Sequence, residues 1–130
     1  MTRPASGSLF PGARLVFAAV AVALATATHW PKLKVPGPEG ADLVIHMASF
    51  GAWTIALACC GFFGPALERR SILVGVPAAL AYAGLDELTQ AFSPGRVVTW
   101  ADFGANALGV AAASLLLLIV APVIRRAIVR

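Results

Sequence analysis

Asp42, His46, Asp86, Glu87, Gln90, Arg96, Asp102 and Asn106 are the residues of this 130-residue chain whose types could do chemistry. Asp42/His46, Asp86/Gln90 and Asp102/Asn106 are each four positions apart, which puts both members on one face of a helix. Carboxylates, an imidazole, amides and a guanidinium can move protons, grip phosphate or hold a hard cation. No serine or cysteine is paired with a base as nucleophilic catalysis requires; Ser93 belongs to a turn and Ser49 reads as packing. Cys59 and Cys60 are adjacent within an apolar run, without disulfide or metal-knuckle spacing, and read as small packing residues.

The segments that carry these groups are strongly apolar. The chain is 59% hydrophobic and 12% charged, with a mean hydropathy of +0.84. This composition predicts an integral membrane protein and excludes a soluble nucleotide-binding or catalytic domain. Apolar stretches at about 15–30, 43–64, 71–92 and 102–124 approach or exceed the roughly 20 residues that cross a ~30 Å hydrocarbon core. The expected fold is all-α, one polytopic bundle of four transmembrane helices over 15–124, with an N-terminal segment 1–14 and a basic tail 125–130.

The net charge of +4 informs through its placement. Arg3, Arg14, Arg69, Arg70, Arg125, Arg126 and Arg130 would lie on one side, and Lys32, Lys34 and Arg96 on the other. The positive-inside rule then predicts a multi-pass membrane protein with both termini cytoplasmic, whose partner is the bilayer and not a nucleic acid. Trp30 and Trp100 fall at the outer interface. Ala25-Thr26-Ala27 also matches a signal-peptidase pattern, the alternative being chance in an alanine-rich helix. Small residues recur every fourth position at Ala48, Ala52, Ala56, Cys60 and Gly64, at Gly75, Ala79 and Ala83, and at Ala105, Gly109 and Ala113. Such ridges let helices approach and would also serve a homo-oligomer. Pro77 is expected to bend the third span.

All the polar residues fall at the outer end of their spans. A single cavity lined by the second, third and fourth helices is expected, about 6 to 10 Å deep, with Tyr82 one turn further in. Local structural roles compete with a site. Asp42 fits an N-cap, and Thr99-Trp100-Ala101-Asp102 a capping box. Asp86 and Glu87 end a helix where the dipole disfavours negative charge, so they need a partner. Ser93-Pro94-Gly95-Arg96 fits a type II turn that would carry Arg96 back into a bidentate clasp on Asp86 or Glu87. Charge left over on the four carboxylates calls for a shared proton, a bound cation, or Lys32 and Lys34.

These motifs resemble the VanZ-like membrane proteins. The resemblance rests on Asp42-Leu43-Val44-Ile45-His46 with Phe50, on Asp86-Glu87-Leu88-Thr89-Gln90 with Phe92, Pro94, Gly95 and Arg96, and on Asp102 with Asn106 and Gly109. Leu43 stands where the family often has lysine. The resemblance implies a bacterial plasma-membrane protein with a cell-envelope role and an association with teicoplanin resistance, without an agreed mechanism.

The favoured function is therefore binding: a polar cavity that takes an envelope lipid, a cell-wall precursor or an amphiphile and so affects lipoglycopeptide susceptibility. The alternative is a membrane-embedded enzyme on a lipid-linked substrate, with His46 or Asp86 as base, Arg96 on phosphate and Mg²⁺, Ca²⁺, Mn²⁺ or Zn²⁺ on the Asp, Glu and His side chains. A small transporter or assembly subunit with carboxylate relays is the third, and four helices would then require an oligomer.

Overall fold

The computed structural model describes residues 7–31 and 37–128. Within them the chain forms four helices and no strand: α1 (Ala13–His29), α2 (Ala41–Cys59), α3 (Arg69–Gln90) and α4 (Trp100–Ile128). α2, α3 and α4 are long and apolar enough to cross a membrane, whereas α1, at 17 residues, is shorter. α2 stops before residue 64, and Gly61 and Gly64, at φ +68 and +132, turn the chain there. α4 runs past residue 124, so Arg125 and Arg126 are not a separate tail but the last helical turn, where cations suit the helix dipole. Arg3, Lys32, Lys34 and Arg130 lie outside the described residues.

The helices alternate in direction. The Leu9 N–H donates to the Cys59 carbonyl at 2.8 Å and Arg14 Nε to the Cys60 carbonyl at 3.4 Å, which joins the start of α1 to the end of α2. Ala66 N–H donates to the Gly7 carbonyl, so the segment before α1 is seated on the α2–α3 turn. α4 packs on α2 and α3, and α1 packs on the outside of the α2/α3 pair. The closest backbone approach is between α2 and α4 at Gly51 and Gly109, where a Cβ on Gly109 would run into the Met47 carbonyl.

Gly75, Ala79 and Ala83 on α3 and Ala105, Gly109 and Ala113 on α4 are buried, as their ridges require. The α2 ridge is a correction: Ala48 and Ala52 are exposed, and Gly51 faces α4 instead. A strict four-residue repeat drifts by about 40° per step on a helix of 3.6 residues per turn, so no single face holds the whole series. Tyr82 is a second correction. It stacks on Trp53 at 4.7 Å and 8° between planes, beside Phe50, and belongs to the aromatic core rather than to a cavity. α3 continues unbroken through Pro77, which sits on its exposed side.

The core is apolar, around Phe50, Trp53, Leu57 and Val110, but it is joined at one end by buried Asp86, Glu87, Gln90 and Asn106, while Leu73, Leu88, Leu108, Leu115, Ile119 and Val123 point outward. An apolar exterior suits a lipid solvent, and the buried polar groups then find their partners within the protein.

Candidate functional site

The selected residues gather at the end of the bundle formed by the C-termini of α1 and α3 and the N-termini of α2 and α4. Local sequence places them. Thr99 Oγ1 accepts the Asp102 N–H at 3.0 Å and caps α4. The reciprocal half of the expected capping box is absent, because the Thr99 N–H donates to Glu87 Oε1 at 3.1 Å instead. Asp42 is in the first turn of α2 but is not its N-cap. Gly40, at φ +83, holds that position without a side-chain bond. Gly95, at φ +81, and the Arg96 N–H to Ser93 carbonyl bond of 3.1 Å close the expected turn.

A hydrogen-bonded chain crosses the site. Thr28 Oγ1 at the end of α1 donates to Asp86 Oδ1 at 3.0 Å, Gln90 Nε2 donates to Asp86 Oδ2 at 2.9 Å, and Arg96 Nη2 donates to Gln90 Oε1 at 2.8 Å. The expected Arg96–carboxylate clasp is thus corrected. Gln90 stands between the guanidinium and Asp86, because its amide can accept from one and donate to the other. His29 Nδ1 lies 3.8 Å from Asp86 Oδ1, and its Nε2 lies 2.8 Å from Thr89 Oγ1. Two hydrogen bonds and a nearby imidazole therefore offset the unfavourable end of the α3 dipole at Asp86.

His46 pairs with Asn106 rather than with Asp42: its Nδ1 is 2.9 Å from Asn106 Oδ1. With the proton on Nδ1, the ring donates there and Nε2 is left as an acceptor. Two atoms of the cluster are buried without a hydrogen-bond partner among the described residues, Glu87 Oε2 and Asn106 Nδ2. Glu87 stands within the electrostatic reach of Asp102, His46 and Asp86.

A cavity of about 340 Å³ opens beside this network. Of the residues selected from sequence, Asp42, His46, Arg96 and Asp102 line it. Asp86, Glu87, Gln90 and Asn106 do not, and form its buried support. The expected walls are corrected as well: α1 contributes Leu24, Ala27 and Thr28, while α3 stands behind the lining. Ser49 also lines the cavity, without a hydrogen bond to His46. A second cavity of about 320 Å³ is lined by Gly84, Leu88, Val98, Trp100 and Phe103 together with Glu87 and Thr99, and Thr99 lines the first as well.

Sequence reasoning missed Thr28, His29 and Thr89. Thr28 and His29 end an alanine-rich helix, and Thr89 lies between two selected residues. Their types alone suggest only bonds to their own helix, which Thr28 and Thr89 indeed approach at the Leu24 and Leu85 carbonyls. The signal that could have found them was the unpaired Asp86 on the neighbouring helix. Among the described residues, no three His, Cys, Asp or Glu side chains converge at metal-binding spacing.

The family model described as VanZ/LLP1 matches residues 12–121. No curated protein and no solved structure matches the chain.

Proposed function

The chain belongs to the VanZ/LLP1 family, and from that premise we propose that it is a multi-pass protein of the bacterial plasma membrane that binds an envelope lipid, wall precursor or similar amphiphile from the outer side. The observation that carries this is a pair of cavities with Thr99 in the wall of each, the first bearing Asp42, His46, Arg96 and Asp102 and the second mainly apolar. A headgroup with a phosphate for Arg96 and an amine or hydroxyls for Asp42 and Asp102 matches the first, and a hydrocarbon segment matches the second. The Thr28–Asp86–Gln90–Arg96 chain holds the guanidinium in place, which lowers the ordering cost of binding. Sequestering such a ligand would change how a lipoglycopeptide meets its target.

The test is titration of the detergent-purified chain with a fluorescent phosphoethanolamine lipid. Arg96→Gln and Asp102→Asn should each weaken binding by about tenfold or more, the scale of a charge-assisted hydrogen bond. Equal affinity in both variants, or equal affinity for a diacylglycerol without phosphate, would reject the proposal.

A further inference from the structure

At the opposite end of the bundle a cavity of about 640 Å³ opens between the start of α3 and the end of α4. Arg69, Arg125 and Arg126 line it against one carboxylate, Glu68, over a floor that includes Leu67, Ile72, Leu118 and Ala121. Arg125 and Arg126 are in the last turn of α4, where the dipole alone accounts for cations. Arg69 is different. It is the first residue of α3, at the positive end of the dipole, in a turn without an acidic residue and behind an N-cap, Glu68, that makes no side-chain bond. The start of α3 and three guanidinium groups therefore meet there with Glu68 as the one carboxylate in the lining. Among the described residues, none of these three arginines makes a side-chain hydrogen bond or ion pair, unlike Arg14 and Arg96.

The backbone leading into this cavity is constrained. Leu67 has φ +58, a conformation leucine rarely adopts, and is held by its burial and by its N–H bond to the Ala58 carbonyl at 3.2 Å. Leu67 immediately precedes Glu68 and Arg69 and lines the same cavity.

We propose that this cavity binds the phosphate of an anionic phospholipid, with the acyl chains leaving along the apolar floor. Three guanidinium groups against one carboxylate favour a net negative headgroup over a zwitterionic one, and the apolar floor favours a lipid over a free anion. Glu68 adds an acceptor for a hydroxyl such as that of a glycerol headgroup. The proposal rests on the membrane placement above but not on the outer cavity.

Thermal melting of the full chain in detergent tests it, with phosphatidylglycerol, phosphatidylcholine or inorganic phosphate added. Saturating phosphatidylglycerol should raise the melting temperature by about 5 °C, and the other two by much less. Arg69→Gln with Arg125→Gln should abolish that rise, whereas Arg70→Gln, outside the cavity, should keep it. Equal rises with the two lipids, or a full rise in the double variant, would overturn the proposal. An equal rise with inorganic phosphate would assign a free-anion site and overturn the lipid. If the double variant does not fold, native mass spectrometry of Arg126→Gln decides: preferential retention of phosphatidylglycerol should fall at least several-fold, and unchanged retention rejects the site. Failure of the outer-cavity proposal, read with Arg96→Gln, would leave these results untouched.

Discussion

Gln90 is the hinge of the Thr28–Asp86–Gln90–Arg96 network, since one amide both donates to Asp86 and accepts from Arg96. Gln90→Leu removes both bonds and leaves a buried carboxylate oxygen unpaired, so it should cost about 1 to 3 kcal/mol, read as a lower melting temperature in detergent. Arg96→Ala should cost less, because Arg96 is half-exposed and can be replaced by water. A larger loss in Arg96→Ala would return the guanidinium to the role of direct clasp. Glu87 invites a different comparison. Glu87→Gln keeps an acceptor for the Thr99 N–H and removes a charge whose second oxygen has no partner among the described residues, so stability should hold or rise. Glu87→Ala should lose about 1 to 3 kcal/mol by orphaning that N–H and opening a hole. A similar loss in both variants would mean that the negative charge itself is needed. Asp86, Gln90 and Asn106 were legible as a polar stripe because four-residue spacing is visible in any sequence. Their partners were not: which of two carboxylates an arginine reaches, or that a glutamine intervenes, depends on loop geometry finer than a spacing.

At the level of elements, the α2–α4 contact is the tightest in the bundle, and its tolerance is set by backbone rather than by side chains. Gly109→Ala places a methyl against the Met47 carbonyl, and because that obstacle is main chain, the helices must separate. The expected cost is about 1 to 3 kcal/mol or more. Gly104→Ala, on the same helix with nothing within 4 Å, should be neutral or gain up to about 1 kcal/mol from helix propensity. Unfolding of both variants in mixed micelles checks the pair, and equal behaviour would refute the close approach. The helices and their order were readable from apolar runs punctuated by Pro, Gly and charge. Helix ends and facing were less so. α2 ends at Cys59 because glycines at positive φ turn the chain, and α4 extends through Arg126 because basic residues suit a helix C-terminus as well as they suit a tail.

For the whole molecule, Arg14, Arg69, Arg70, Arg125 and Arg126 at one end, against Arg96 with the carboxylate–histidine cluster at the other, predict orientation. In a background of Cys59→Ala and Cys60→Ala, Glu39→Cys should react with a membrane-impermeant maleimide on intact cells, and Ala127→Cys only after permeabilisation. The reverse pattern would turn the polar cavity toward the cytoplasm. One dimension of the bundle bears on the bilayer itself. α1 has 17 residues and α4 has 29, or roughly 26 Å against 44 Å of helix. If both cross one membrane, tilt of α4 and projection of its basic last turn take up part of that difference, and thinning of the bilayer beside α1 takes up the rest. Leu24, Ala27 and Thr28, the α1 lining of the cavity at the carboxylate end, would then border the thinned lipid. Lipids there would already be compressed and tilted, so the rim of α1 is where a headgroup has least distance to travel, and lengthening the acyl chains of a host bilayer should slow its entry.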